Sequence, residues 1–161
     1  MTALTPTKSL LLLLRLSMAW VFLYAASHQV FAANFSVGPF LDSTKTFHAF
    51  FAPLTAPGIV LVITALVAYG HLLIGLSLLS GLFVRISALF GIGIMVLYWM
   101  AHMDFPYISD TNNFLVDEHV VFALVLGLLI ATRAGHLIGL DEWASRQDTV
   151  HHNKWLGWAT A

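Results

Sequence analysis

Four long apolar runs constrain the fold of this chain more than any other feature. A bilayer core about 30 Å thick requires roughly 20 mostly apolar residues in a helix that rises about 1.5 Å per residue. The segments near residues 10–32, 58–82, 85–103 and 114–134 meet that length. Because 59% of the 161 residues are hydrophobic and only 9% are charged, a soluble domain could not bury the apolar surface. The sequence therefore predicts an all-α integral membrane protein, a bundle of four spanning helices.

The charged residues and the absence of cysteine exclude several classes of function. A net charge of -1, with only seven Lys and Arg in the chain, argues against a nucleic-acid partner, because phosphate neutralisation needs clustered basic residues. A chain without cysteine has no disulfide, no thiolate metal site and no cysteine-ligated iron–sulfur cluster. The expected partners are the lipid bilayer and the other subunits of a membrane complex.

The turn between the second and third runs and the head of the fourth run define the predicted topology. Residues 81–85 are a short corner, so the two runs around them form an antiparallel hairpin. The fourth run is apolar only from Val120 to Thr132, which is too short to span. A spanning fourth helix must therefore draw Asp117, Glu118 and His119 into or against the membrane edge.

The distribution of basic residues predicts the orientation. With the N-terminus inside, all but one of the basic residues lie on the cytoplasmic side, and only Lys45 lies outside. The inside residues are Lys8, Arg15, Arg85, Arg133, Arg146 and Lys154. This bias predicts a multi-pass protein of the cell's inner (cytoplasmic) membrane with both termini in the cytoplasm. A signal peptide is the less favoured reading of the first run, because the run is long and Arg15, expected to snorkel to the interface, interrupts it.

Two segments outside the runs have their own patterns. Residues 33–57 form a long outer connection, and the helical spacing of phenylalanines within 44–54 predicts a short interfacial helix. Residues 1–143 are expected to form a single membrane domain. The polar tail, 144–161, carries tryptophans and is predicted to lie along the cytoplasmic interface or to be disordered.

Three histidines are expected at one depth near the outer ends of three helices. His28 ends the first helix, His102 ends the third and His119 begins the fourth, all on the outer side. Each lies on a stripe poor in bulky aliphatics. Tyr98 shares the stripe of His102, and Gly127 shares that of His119. Because small residues mark close helix packing in membranes, these histidines are expected to face the bundle interior.

His71, and the pair Asp117 and Glu118, each allow a purely structural interpretation and a functional one. His71 lies near the middle of its helix, where an ionisable residue is by default a functional candidate; it could instead be a neutral imidazole hydrogen-bonded to a neighbouring helix. Asp117 and Glu118 could simply complement the dipole of a helix capped by Asn112 or Asn113.

Metal and haem are less favoured cofactors that the residues leave open. His and carboxylate ligands suit copper, iron or zinc, but the sequence has no close-spaced ligand motif, and His151 with His152 is only a weak pair. Haem would require two of His28, His102 and His119 to face each other across the bundle. No metal-ligand set is therefore assigned.

Three segments carry a family resemblance. GHLLIGLSLLSGLFVRISALFGIGIM (residues 70–95) resembles the Gly-rich helix, Arg turn and following helix of DoxX proteins. LRLSMAWVFLYAASHQVF (14–31) resembles their first helix, and AGHLIGLDEW (134–143) their closing segment, with His136 where an Arg is frequent and Ala26 where a Gly is frequent. The likeness covers roughly residues 10–143. It implies a four-helix membrane bundle and a relation to the membrane subunits of thiosulfate:quinone oxidoreductases and quinol oxidases.

Together these features predict a membrane subunit of a quinone-linked oxidoreductase. The expected catalytic residues are His119, Glu118 and Asp117: Asp117 or Glu118 would exchange protons with the outside, and His119, as one of the outer histidines, would hydrogen-bond a quinone carbonyl oxygen. The expected quinone-binding residues are His71, His28, His102 and Tyr98. The alternative is a non-enzymatic scaffold or assembly subunit of a larger membrane complex. A small transporter is less favoured, because no spanning run is broken by a central proline and no inverted repeat is visible.

Overall fold

The computed structural model describes residues 5–108 and 116–161, most of which are helical. The helices are α1 (Pro6–Val30), α2 (Gly38–Asp42), α3 (His48–Phe51), α4 (Ile59–Ser80), α5 (Val84–His102), α6 (Glu118–Ala131), α7 (Leu140–Ala144), α8 (Asp148–His152) and α9 (Lys154–Ala159). Two 3-10 turns cover Ala52–Thr55 and Ala134–His136. A two-residue strand β1 (Met103–Asp104) pairs antiparallel with β2 (Tyr107–Ile108) after α5.

Among the described residues, three helices are long and apolar enough to cross a membrane: α1, α4 and α5. The fourth predicted span is shorter than expected, because α6 has 14 residues where a straight span needs roughly 20. Asp117 caps its first turn, and Arg133, in a left-handed conformation, follows its end. The cap is thus Asp117; the alternatives Asn112 and Asn113 lie outside the described residues.

One apolar core joins the four long helices. α1 packs on α4 and α6, and α5 packs on α4 and α6. The core includes Phe22, Leu78, Leu126 and Leu129, all fully buried. Gly75 allows α1 and α4 to approach closely, because a Cβ there would lie 2.7 Å from Leu23 Cγ and 3.0 Å from its backbone nitrogen.

Two of the predicted inward stripes, on α1 and α6, are not packed as expected. On α1 the stripe of Ser17 and His28 is exposed, and the opposite face is buried. Arg15 lies on that buried face with Met18 and Phe22, and it donates to backbone carbonyls there. On α6 a Cβ at Gly127 would meet nothing within 4 Å, so the expected close packing is wrong at this position. Bulky leucines fill the core side of α6 instead.

The connection from α1 to α4 folds over one end of the helices. Phe51 and Leu41 are buried in a second apolar cluster with Ala101 of α5. The helix predicted for residues 44–54 is present only as α3 and the following 3-10 turn, because Pro53 cannot continue the α-helical hydrogen bonds. The connection also contains α2, which the sequence did not predict. This segment provides one wall of the cavity described below.

The opposite end of the helices is closed by what we call the Arg15 cluster: Arg15, Gly81, Gly135, Gly139 and Asp141. The Arg15 side chain does not snorkel as expected; the residue is 1% exposed and donates to the carbonyls of Ala134 (2.6 Å), Leu137 (2.9 Å) and Ile138 (3.2 Å). These carbonyls belong to the segment that follows α6, where the α-helical hydrogen bonds have ended; the Ala134 carbonyl also accepts from the Leu137 N–H at 3.2 Å.

Asp141 connects the same cluster to the start of α5. Its carboxylate accepts from the backbone N–H of Phe83 (2.7 Å) and of Val84 (3.1 Å), and its own N–H donates to Gly81 O (2.8 Å). Burial raises the pKa of Asp141 above 3.8, and these two hydrogen bonds, with the nearby charges of His136 and Arg15, offset only part of that effect. Asp141 therefore acts as a buried cap.

The C-terminal tail is folded against the helices. Thr160 is fully buried, and its carbonyl accepts from His136 Nε2 at 2.7 Å. Arg85 donates to the carbonyl of Trp158 at 3.1 Å and lies 5.7 Å from the centre of its ring. Of the two predicted states of residues 144–161, disorder is therefore wrong, whereas an interfacial location remains a prediction.

Candidate functional site

A buried carboxylate joins two histidines at the end of the helices where α5 ends and α6 begins. Asp117 accepts from His102 Nδ1 at 2.9 Å through one oxygen and from His119 Nδ1 through the other. The backbone N–H of His119 also donates to Asp117, at 2.7 Å, and so fixes the carboxylate as the cap of α6. We call His102, Asp117 and His119 the histidine site.

Burial alone would raise the pKa of Asp117, but its hydrogen bonds have the larger combined effect. The backbone N–H of His119 and the rings of His102 and His119 all donate to the carboxylate, and the pKa lies below its usual value of 3.8. Asp117 is 2% exposed, so this is an ionised acid almost fully removed from solvent. A buried negative charge held by two imidazoles is the main electrostatic feature of this end of the protein.

The hydrogen bonds determine which ring nitrogens remain available. A carboxylate only accepts, so both histidines donate through Nδ1. In the neutral form of each ring, Nε2 then carries a lone pair that can accept a proton or a hydrogen bond. The side chain of His102 is 35% exposed and that of His119 13% exposed, so both rings border open space.

Aromatic contacts extend from the histidine site towards the helix core. The ring of Tyr98 lies edge-on to His119, with 5.2 Å between the ring centres, and stacks on His71 at 5.8 Å. His71 is 2% exposed, donates from Nδ1 to Val67 O at 2.6 Å and touches Phe22. The hydrogen bond of His71 is thus made within its own helix, whereas the structural interpretation predicted a partner on a neighbouring helix.

A cavity of about 220 Å³ opens beside the histidine site. Three of its walls come from Tyr98, His102 and His119, and the folded connection after α1 supplies the rest. The residues from α1 and that connection are Gln29, Phe35, Ser36, Val37 and Phe40. Phe40 lies edge-on to both Tyr98 and His102, at 5.6 and 5.7 Å. The cavity therefore combines an aromatic wall with two imidazoles.

A second groove, with an apolar surface, shares the lining residue His119 with the first cavity. The groove has a volume of about 250 Å³ and lies between α5 and α6, where Trp99, Val120 and Leu124 line it. His119 borders both spaces. His119 is therefore shared by a cavity that holds two imidazoles and a groove with an apolar surface.

The structure groups the predicted site residues unevenly. His102, His119, Asp117 and Tyr98 come together, and His71 contacts the group through Tyr98 but does not line the cavity. His28 was expected to face inward and does not; it is exposed, and its Nδ1 bonds to its own helix at Tyr24 O, 3.0 Å away. The depth estimate gave the level of His28 but could not give its helical face.

Glu118 differs from Asp117 despite being adjacent in sequence. The Glu118 side chain is exposed at the start of α6, whereas Asp117 is buried. Consecutive helical residues differ by about 100 degrees, which separates the two carboxylates. Glu118 therefore lies near the histidine site without joining it.

The sequence did not indicate the cavity residues contributed by the connection after α1. Phe35 and Phe40 are aromatic residues in a segment without strong periodicity, and Gln29 is an ordinary polar residue at the end of α1. The only available signal was the density of phenylalanine in a long connection. The helical spacing that predicts an interfacial helix covers residues 44–54 and does not include Phe35 or Phe40.

Comparisons with known proteins identify the family. Neither curated proteins nor solved structures give a match. The sequence profile named DoxX matches residues 10–103, more than half of the chain. This range includes most of α1, all of α4 and α5, and the connection that lines the cavity. The three apolar helices agree with this match, and the chain is a multi-pass membrane protein that belongs to the DoxX family.

Proposed function

We propose that this DoxX protein is the membrane subunit of a quinone-linked oxidoreductase and that it binds the quinone head group in the cavity beside the histidine site. The observation that carries the proposal is the position of His119, which borders both the cavity and the apolar groove. A quinone has a polar head group and an apolar tail. The cavity, with its two imidazoles, suits the head group, and the apolar groove that shares His119 suits the tail.

The side chains around the cavity suit the chemistry of a quinol. Nε2 of His102 or His119 could accept a hydrogen bond from a quinol hydroxyl, since both Nδ1 atoms are engaged by Asp117. Phe40 and Tyr98 offer ring faces and edges to an aromatic head group. Protons would pass between this site and the outside, with the exposed Glu118 close to the exit.

Electrons would pass to or from a partner subunit. The chain has no cysteine, so a cysteine-ligated redox centre is absent from its own residues. The proposed complex is of the thiosulfate:quinone oxidoreductase or quinol oxidase type. In this arrangement the DoxX chain supplies the quinone site, and the partner supplies the remaining redox chemistry.

The proposed orientation places the histidine site outside and the Arg15 cluster at the cytoplasmic face of the inner membrane. α6, which packs on α1 and α5, would complete a four-helix bundle. The basic residues support this direction: Lys8 is near the start of α1, Arg85 is in the first turn of α5, and Arg133 follows α6. Lys45 is at the opposite end, where it pairs with Asp104 at 2.6 Å.

Quinone-dependent turnover in membranes tests the proposal. Membranes that contain the chain and the proteins encoded beside it should reduce or oxidise a short-chain quinone, and His119→Ala should lower that rate by at least about tenfold. His71→Ala should lower it less, since His71 acts through Tyr98. His28→Ala is the matched control, because it removes an exposed histidine at the same end of the protein. Turnover that is indifferent to His119→Ala would reject the proposal.

The scaffold function remains the second candidate because three exposed tryptophans lie in α7 and in the folded tail. Trp155 is 79% exposed, Trp143 is 62% exposed and Trp158 is 43% exposed. Exposed aromatic residues of this size are typical of membrane-interface anchors and of protein contacts. A scaffold predicts that Trp155→Ala lowers recovery of the complex, whereas His119→Ala alters neither assembly nor turnover.

A further inference from the structure

We infer that the histidine site binds one divalent transition-metal ion of the zinc class. His102, Asp117 and His119 each offer a ligand atom, and these atoms lie within 4.8 Å of one another. The residues come from the end of α5 and the start of α6, so only the folded chain assembles them. The inference does not depend on the quinone proposal, because it concerns these three side chains alone.

The donor set has the chemistry of an open metal site. Two imidazole nitrogens and one carboxylate oxygen suit zinc and neighbouring first-row metals. Three protein ligands with a fourth position left for water or substrate are the usual arrangement of catalytic zinc. Bonds of about 2.0–2.2 Å in a tetrahedral site place ligand atoms roughly 3.3–3.5 Å apart. His102 Nδ1 and Asp117 Oδ2 are 2.9 Å apart, so only a small outward shift is required.

Metal binding would replace the two N–H···O hydrogen bonds by two bonds to the ion. Each imidazole would coordinate through Nδ1, and its ring proton would move to Nε2, so that the two rings remain neutral and no proton is lost overall. The carboxylate charge of -1 and the ion charge of +2 then leave a local charge of +1. A single buried carboxylate could in this way balance half the charge of the ion.

The surroundings hold the three ligands and leave access for a fourth. The backbone N–H of His119 fixes Asp117 at 2.7 Å, and Phe40 lies edge-on to His102. The cavity of about 220 Å³ borders His102 and His119, so water or a small ligand can reach the ion from that side. Fixed ligands and an accessible fourth position distinguish this cluster from the exposed histidine pair, His151 and His152.

Cobalt titration of the full-length protein tests the inference. The protein is purified through a tag without histidine, stripped of metal with a chelator and titrated with Co²⁺, whose visible absorption reports nitrogen and oxygen coordination. We expect one Co²⁺ per chain, displaced by Zn²⁺. His102→Ala and His119→Ala should each weaken binding by at least about tenfold. His28→Ala and the double variant His151→Ala/His152→Ala should leave this site unchanged.

Two controls separate loss of the site from loss of the fold. Asp117 also caps α6, so the main test uses the two histidine variants, each checked by circular dichroism and by its melting temperature without metal. Absence of saturable binding, or binding that only the tail variant removes, would overturn the inference. Quinone binding is measured separately on the metal-stripped protein, so failure of the metal site and failure of the proposed function give different results.

Discussion

Two buried carboxylates, Asp117 and Asp141, lie at opposite ends of the helices and differ in what completes their surroundings. Asp141 accepts from two backbone N–H groups and lies where Arg15 closes the space with three carbonyl contacts. Asp117 accepts from one backbone N–H and from two imidazoles that border a cavity. The first acid is closed in by the protein, whereas the partners of the second face open space.

This difference indicates which end supports the fold and which end is available to a ligand. Glycines pack directly on the Arg15 cluster: a Cβ at Gly139 would lie 2.2 Å from Gly135 O and 2.8 Å from an Arg15 nitrogen. Within residues 5–108 and 116–161, the histidine site instead borders a cavity, and His119 also borders the apolar groove. Substitutions at the two ends should therefore separate stability from binding.

Gly139→Ala should have the largest effect on stability. The new methyl group would overlap the Gly135 carbonyl, which is backbone and cannot rotate away. We expect a loss of about 3 kcal/mol, at the upper end of overpacking effects, measured by thermal unfolding in detergent. Gly127→Ala is the control, because a Cβ there meets nothing within 4 Å and its stability should be unchanged or slightly raised. Equal melting temperatures for Gly139→Ala and Gly127→Ala would contradict tight packing at the Arg15 cluster.

Arg15→Met should have the next largest effect. It removes three hydrogen bonds from a buried charged group to the carbonyls of Ala134, Leu137 and Ile138, of which the Ala134 carbonyl also accepts from the Leu137 N–H. The expected loss is about 2 kcal/mol, the typical contribution of hydrogen bonds that involve a charged group. Arg146→Met, which removes only an exposed ion pair with Glu142, should change stability by less than about 0.5 kcal/mol. A melting temperature that falls equally in both would contradict burial of Arg15 as the cause.

The paired substitutions Asp117→Asn and Asp141→Asn should give opposite results. Asparagine is a good helix cap, so Asp117→Asn should lower stability by less than about 1 kcal/mol. It should nevertheless weaken ligand binding at least about tenfold, since an amide cannot accept from both imidazoles. Asp141→Asn should leave ligand affinity within about twofold. It should destabilise the protein more than Asp117→Asn does, because an NH₂ group would replace the oxygen that accepts from Val84 N–H. Matched binding assays and melting curves compare the two.

The smallest predicted effect is a pH dependence associated with Asp141. Because burial raises its pKa in the folded protein above 3.8, the folded state binds the proton more tightly than the unfolded chain. The contribution to stability is complete below pH 3.8 and is lost as the pH rises through the folded pKa. Melting temperatures across that interval should decline less steeply in Asp141→Asn than in the unchanged protein. Parallel curves would show that Asp141 does not titrate as its burial implies.

The sequence predicted the spanning helices well because their signal is local. Run length and hydropathy placed α1, α4 and α5 nearly where they occur, and the short corner after Ser80 is present. The same reasoning overestimated α6, because apolar residues on either side of a helix end do not reveal where capping occurs. Asp117 and Arg133 define those ends through side-chain and backbone geometry that a hydropathy pattern does not contain.

The candidate site could be predicted only in part, because the direction in which each helix face points depends on tertiary packing. His102 and His119 were correctly expected at one level and facing inward, but His28 shared every sequence feature and lies outside. The face of α1 opposite His28 is the buried one, and it contains Arg15, which donates to the buried carbonyl of Ala134. The partnership of Asp117 with two histidines required knowledge of how α5 meets α6.

Quinone binding by the purified protein in lipid nanodiscs is the most direct test of the central claim, that the histidine site is the ligand site. A short-chain quinone is titrated against the unchanged protein, His102→Ala and His28→Ala, and binding is followed by quenching of intrinsic fluorescence. The account predicts that His102→Ala raises Kd by at least about tenfold, equivalent to about 1.4 kcal/mol, while His28→Ala binds as the unchanged protein does. Equal affinities in all three proteins, or loss confined to His28→Ala, would contradict it.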